Sequence, residues 1–355
     1  MAKSGELIHI DGSVMEGGGQ ILRTASALSI LTGNPIRMYN IRANRPQPGL
    51  RAQHLRGLEA VADLCSGRLE GAKIGSRQIY FYPGKISQKG LKISIETAGS
   101  IGLVMHSLLV AAIGAREKIT VDIEGGATFG AFAPPLEHVQ FVLLPLLRRM
   151  GYHAEINIIR HGFYPVGGAQ VKVMISPCRE LKPLCLLERG EIESIDIVST
   201  ASSSLKMPKV AERQQRAAET VLKGAGHGCT FRNRYSEARS AGSGIVILAR
   251  TDKGCILGSD GLGERGKMAE VVGQEAAAKM LRAMESGATV DEHISDQLLP
   301  YMALCREKSA IIAPNLTMHA KTNMFIIKQF LPVEFDTERT GSCIKISCLP
   351  QIQSV

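Results

Sequence analysis

An internal repeat constrains this chain more than any other feature, because recurring units fold alike and stack on one another. The stretch GGGQILRTASALSILTG (17–33) aligns with AGSIGLVMHSLLVAAIG (98–114). Each puts small residues ahead of an apolar helix that stops at a glycine. PGLRAQHLRGLEAVADLC (48–65) aligns with PPLEHVQFVLLPLLRRMG (134–151), and both of these helices follow a proline-containing loop. The offsets are about 81 and 86 residues, so the helix pairs recur at one spacing.

Strand-like segments fill the gaps. LIHIDG, PIRMYNI and QIYFYPG belong to the first unit, LKISIET, KITVDIE and AQVKVMIS to the second. Each unit reads as strand–helix–strand–helix–strand–strand. A third copy lies near the C-terminus: ISDQLLPYMALC as a helix, SAIIAP as a strand, MHAKTNMFIIKQFL as a helix, and VEFDTE and SCIKISC as closing strands. Its first strand, around KPLCLLE (182–188), precedes its first helix by about a hundred residues. That interval has its own pattern of strand (192–199), helix (207–223), strands (228–236 and 243–251) and helix (266–286), with GAGHG and SAGSG at its turns. The expected fold is therefore α/β (α+β). Three βαβαββ repeats form a large domain over 1–188 and 288–348, a smaller α+β domain is inserted over 189–287, and a tail occupies 349–355.

Composition narrows the partners. The formal charge is +9, which draws polyanions, while Trp is absent and aromatics are 5% of residues. A nucleic acid would thus be held by its phosphates rather than on a stacking platform. The eight cysteines form no CxxC pair, which argues against a zinc site or a redox dithiol. MAKSGELIHIDG has no signal-peptide core, and no apolar run reaches the roughly 18 residues of a membrane span. A cytoplasmic protein with reduced thiols and no membrane partner is expected.

Several segments carry chemistry. EGGGQILR (16–23) puts three glycines between a strand and a helix start, where free N–H groups face an anion. Glu16 beside it could hold a metal that bridges phosphates; a tight turn with a solvated Glu is the alternative. RANRPQPGLRAQH (42–54) brings arginines to a proline-stiffened loop, either as a phosphate grip or as a solvated basic loop. HGFYPVGGA (161–169) receives no role from spacing. HISDQ (293–297) starts a helix, so Asp296 and Gln297 could read a ribose or base, or Asp296 could cap the helix. His319, in NLTMHAKTN, stands at another helix start, as a phosphorus-attacking nucleophile or as a merely packed ring. The other eight histidines make no HxH or HExxH pattern, so no metal cage is expected.

Taken in order, EGGGQILR, RANRPQPGLRAQH, the AGS and APP pair (98–100 and 133–135), RHGFYPVGG, DQL and HAKTN closely resemble the RNA 3′-terminal phosphate cyclase family, over about residues 6 to 348. That family has three βαβαββ units and a smaller insert. The resemblance implies an ATP-dependent enzyme that closes an RNA 3′-phosphate into a 2′,3′-cyclic phosphodiester, with Mg²⁺ or Mn²⁺. It implies three steps: a histidine takes AMP from ATP with metal assistance, AMP passes to the RNA 3′-phosphate, and the 2′-OH closes the ring and expels AMP. The adenylylated histidine falls on His319 and the metal-contacting glutamate on Glu16. The nucleotide pocket falls on Pro134 and on His293, Ile294, Ser295, Asp296 and Gln297. The phosphate-binding arginines fall on Arg42 and Arg45, with Arg23 and Gln53 nearby.

The sequence departs from the family pattern at two places. His106 stands where some members have a nucleotide-contacting glutamine, and His293 where a tyrosine stacks near the adenine, which opens the question of base selectivity. A homodimer is a further expectation that no residue compels. Two relatives of the family provide rival readings: a non-catalytic cyclase-like RNA-binding factor of ribosome assembly, which lacks the histidine, and an enolpyruvyl-type transferase, which shares the repeat but not the motifs. Polynucleotide ligases use a lysine in KxDG, absent here.

Overall fold

Three sheets of this protein have the same strand order. The computed structural model describes residues 5–131 and 133–351. In the first unit β1 (Ile8–Asp11), α1 (Gly19–Thr32), β2 (Ile36–Tyr39), α2 (Ala52–Cys65), β3 (Arg68–Glu70) and β4 (Ile79–Tyr82) follow one another. The sheet runs β1-β2-β4-β3, with β1 and β2 parallel and the other pairs antiparallel. A parallel pair needs a crossover, which α1 supplies.

The second unit comprises β5 (Gly90–Ser100), α3 (Ile101–Ala111), β6 (Ile119–Ala127), a helical run, β7 (Ala154–Arg160) and β8 (Gln170–Ile175). The run contains α4 (Leu136–His138), a π turn over Val139–Leu143 and α5 (Leu144–Arg149). Its sheet runs β5-β6-β8-β7, again one parallel pair and two antiparallel. β9 is only Cys185–Leu186, shorter than the expected 182–188, and heads the third sheet.

A fourth sheet intervenes. It is built from β10 (Ile192–Ser202), β11 (Thr230–Ser236), β12 (Ser243–Thr251) and β13 (Ile256–Leu262), in the order β11-β10-β12-β13. Helices α6 (Val210–Gly224) and α7 (Ala269–Glu285) accompany it. After it come α8 (Glu292–Ala303), β14 (Ser309–Ala313), α9 (Met318–Phe330), β15 (Val333–Thr340) and β16 (Cys343–Pro350). These complete the third sheet, β9-β14-β16-β15, with β9 parallel to β14 and the rest antiparallel.

Two large buried clusters hold most of the apolar residues, and Ala288, Ile312 and Cys343 form a small third one. Helices α1, α2, α3, α8 and α9 pack on one another, and Leu28, Leu108, Leu299 and Ile327 from all three units share one core. Ile197, Leu222, Ile247 and Met280 belong to a second core under the fourth sheet.

Three expectations need correction. The sequence reading has no strand at β13, because ILGSDGL combines glycines and an Asp that lower strand propensity. A Cβ on Gly258 would lie 2.5 Å from His138 Nε2, so glycine is needed there for close approach of the second unit. Helix α8 is capped by Asp291, whose Oδ1 accepts from the Ile294 amide at 2.9 Å, so Asp296 is not the cap and lies a turn further in. β16 pairs with β15 through Pro350, two residues into the expected tail, and 352–355 of that tail lie outside the described residues.

HGFYPVGGA, silent in sequence, forms the bend between β7 and β8 and packs on the fourth sheet. The His161 amide donates to Ser236 Oγ at 3.0 Å and the Val166 amide to Ser240 Oγ at 3.2 Å. Phe163 stacks on Phe129 with ring centres 5.9 Å apart. Among the described residues no helix is long and apolar enough to cross a membrane.

Candidate active site

Helix α1 and helix α9 start side by side, and the candidate chemistry lies where they meet. A Cβ on Gly19 would fall 2.2 Å from His54 Nε2, so the glycine lets the start of α2 close in as well. Gly18, at the head of α1, contributes no side-chain cap, which leaves first-turn N–H groups for a ligand.

His319 is the second residue of α9. Thr317 caps that helix, accepting from the Ala320 amide at 2.8 Å and donating to Asp296 Oδ1 at 2.5 Å. Asn323 Nδ2 donates to the Asp296 carbonyl at 2.9 Å, and Thr24 Oγ1 donates to Asn323 Oδ1 at 2.7 Å. These bonds lock α1, α8 and α9 together around the histidine. Gln20 Nε2 donates to the His319 carbonyl at 3.1 Å, while its Oε1 meets the ring Nδ1. Glu16 Oε2 lies 2.5 Å from the same Nδ1, and Arg45 pairs with Glu16 Oε1.

The His319 ring is thus held by one nitrogen. Its side chain is 47% exposed, and Nε2 has no hydrogen-bond partner among the described residues. Burial works to raise the Glu16 carboxyl, but His319 and Arg45 outweigh it and hold the group below its ordinary value. An ionised acceptor on Nδ1 keeps the proton there and leaves the Nε2 lone pair outward.

Around this pair sits a cationic recess. Burial pulls the Arg23 guanidinium down to about 10, against Glu16, so it stays charged at neutral pH. Burial, and then Arg23, Arg42 and Arg51, push His54 down to about 3. His106 likewise falls to about 3 through burial, Arg23 and His319, and its buried Nδ1 has no partner among the described residues. Two neutral imidazoles therefore flank Arg23. Gln53 lines a narrow recess with Arg23, His54 and Ser107. Burial raises Asp296 to about 7 even though Thr317 and His319 oppose it.

The other expected positions are distributed unevenly. Arg42 is turned into its own loop, with NH1 donating to the Gln47 and Gly49 carbonyls at 2.7 and 3.0 Å. Ile294 is fully buried, and Ser295 Oγ donates to the Glu292 carbonyl at 2.7 Å, so both face inward. Gln297 Oε1 is buried without a partner among the described residues, and Pro134 is half-buried. His293 is exposed, 3.8 Å from Asp260 Oδ1 of β13, and meets the His138 ring edge-on at 5.7 Å. His138 Nε2 lies 3.2 Å from Asp291 Oδ2.

Gln20 and His54 escaped the sequence reading, although both stand inside quoted motifs. The available signal was position: Gln20 falls in the first turn of α1, just after the glycines, and His54 in the first turn of α2. For a metal, Glu16 is a single carboxylate, and among the described residues no group of three or more His, Cys, Asp or Glu could hold an ion. That donor set fits an ion whose remaining ligands are water and a bound phosphate, as Mg²⁺ commonly has.

The profile of the family described as RNA 3′-terminal phosphate cyclase matches residues 14–337. The RNA 3′-terminal phosphate cyclase of Caldivirga maquilingensis is 42% identical over 97% of this chain and 98% of its own length. That of Thermococcus kodakarensis is 42% identical over 99% of both, and that of Methanopyrus kandleri 41% identical over 93% of this chain and 95% of its own. The chain belongs to the RNA 3′-terminal phosphate cyclase family.

Proposed function

We propose that this protein is an ATP-dependent cyclase that converts an RNA 3′-phosphate end to a 2′,3′-cyclic phosphodiester through an adenylylated His319. The observation that carries the reading is the pose of His319: Nδ1 held by Glu16 and Gln20, Nε2 open beside an uncapped helix start.

In the first step Nε2 forms a bond to the α-phosphorus of ATP as the bond to pyrophosphate breaks. Glu16 holds the Nδ1 proton and stabilises the positive charge that grows on the ring. Gln20 meets the same nitrogen and helps to fix the ring plane. AMP then passes to the RNA 3′-phosphate, which turns a poor leaving group into a good one. The neighbouring 2′-OH attacks that phosphorus and expels AMP; it is already held close, so positioning does most of the work. Arg23 and Arg45 steady the charge on the phosphate oxygens, with Arg42 shaping the loop that carries Arg45. His293, Asp296, Gln297 and Pro134 line the nucleotide side, with Ile294 and Ser295 as the buried support of that helix turn. A divalent ion, Mg²⁺ or Mn²⁺, would be held by Glu16 and would offset phosphate charge during departure of pyrophosphate. Eight free thiols fit a cytoplasmic setting.

The test is incubation with α-³²P-ATP and Mg²⁺, followed by denaturing electrophoresis. Acid-labile, alkali-stable label on the wild type, absent from His319→Ala, supports the reading. No label on the wild type would favour the non-catalytic RNA-binding branch.

A further inference from the structure

A second basic feature lies outside the His319 site. β7 and β11 are edge strands of two different sheets, and between them runs a groove of about 690 Å³. That size falls within the range of built ligand sites, roughly 300–1,000 Å³. Its walls carry Arg160, Asn157 and Gln170 from one side, Arg234 and Tyr235 from the other, and Gln140 between them. Glu237 is the single acidic side chain on the lining.

Both arginines are fixed before any ligand arrives. Arg160 Nε donates to the Gly168 carbonyl at 2.8 Å, and its two terminal nitrogens have no partner among the described residues. Arg234 lies over the Phe141 ring, 5.7 Å from its centre, with NH1 3.5 Å from Glu137 Oε1. Glu137 is fully buried, bonded by Thr200 Oγ1 at 3.1 Å, and its Oε2 has no hydrogen-bond partner among the described residues. Burial pushes that carboxyl up to about 7, so it offsets Arg234 only in part. A guanidinium fork held in place loses little freedom on binding a phosphate.

The groove also adjoins the proposed nucleotide side. Glu137 faces Arg234 and His161 of the groove, while the next residue, His138, faces Asp291 and His293. One short helix therefore forms the partition between them.

We propose that this groove receives the RNA strand upstream of the reacting 3′ end, its phosphates gripped by Arg160 and Arg234. The assignment rests on the cyclase reading for the identity of the strand. An added peptide strand fits less well, because β7 has a bulge between Ile158 and Arg160 that interrupts a regular edge. Amide side chains and basic forks on a mostly polar lining suit a phosphate backbone read without sequence preference.

The experiment compares wild type, Asn157→Glu and Arg234→Gln. The Asn157 side chain is exposed and makes no hydrogen bond among the described residues, so its variant leaves the fold untouched even if Arg234→Gln disturbs it. Binding of a 3′-phosphorylated 12-mer is read by fluorescence anisotropy across a salt series, with a 3′-phosphorylated dinucleotide as the short control and His319 labelling by ATP alone as a separate readout. We expect both variants to bind the 12-mer at least tenfold more weakly and Arg234→Gln to lose roughly 0.7 from the salt slope, with dinucleotide affinity and labelling within twofold. Unchanged 12-mer binding in Asn157→Glu overturns the groove assignment, and so does an equal loss for the dinucleotide. Failure of wild-type labelling with 12-mer binding still sensitive to Asn157→Glu would overturn the cyclase reading alone.

Discussion

His319 and His138 each stand in the first turn of a helical run with a ring nitrogen on a carboxylate, and they differ in what surrounds the second nitrogen. His319 pairs with Glu16 and turns Nε2 to the open side of a 47% exposed ring. His138 pairs with Asp291 at 0% exposure, its Nδ1 buried and without a partner among the described residues. Burial opposes charge on His138, yet Asp291 outweighs it and raises the ring above its ordinary value. A histidine–carboxylate pair is therefore only half of a nucleophile; the other half is access. The closed pair instead ties α4, the start of α8 and β13 into one joint.

The comparison breaks most visibly at His319. His319→Ala should lower labelling by ATP by at least about 10³-fold, with the urea midpoint unchanged because the side chain is half exposed. If the label persists, the open pair is not the nucleophile. At the closed pair the effect should fall on stability. Asp291→Ala leaves His138 without its partner, the Gly258 amide without its acceptor at 2.9 Å and α8 without its cap. A loss of about 3–5 kcal/mol in urea unfolding is expected, with labelling per folded molecule within a few-fold.

Glu137, next to His138, sharpens the contrast through pH. Its folded value of about 7 lies above its ordinary 4.5, so the folded state keeps a proton that the unfolded state releases. Stability from this group is present below about pH 4.5 and lost as pH rises through 7. Glu137→Gln should gain roughly 3 kcal/mol at pH 8 and nothing at pH 4, measured by urea unfolding at both. A gain equal at both values would mean that the Glu137 carboxyl titrates alike in the folded and unfolded states. The smallest effect is expected at Thr317, whose loss to Ala should cost about 1 kcal/mol through the cap, with Ser restoring it.

The helices and most strands of the three like-ordered sheets were legible because their apolar periods are regular and their loops end in proline or glycine. β13 was not, since its glycines answer to His138 and to α7 rather than to strand propensity. The motifs led to Glu16, Arg23, Arg45, Asp296 and His319, which do converge. They were silent on Gln20, whose partner lies 299 residues away and leaves no local trace, and on His54, whose approach to Gly19 is set by packing. Nor could spacing tell that Ile294 and Ser295 face inward while His293 faces out; only helical phase against a packed neighbour decides that.

By itself, then, the sequence determined the repeat, the basic charge and the residue types able to hold phosphate and attack phosphorus. These are properties of local pattern and composition. Tertiary structure alone decided which nitrogen of which histidine is open, which arginines are tied down and that two edge strands frame a groove. Those depend on burial and on directions between distant segments, which only packing sets.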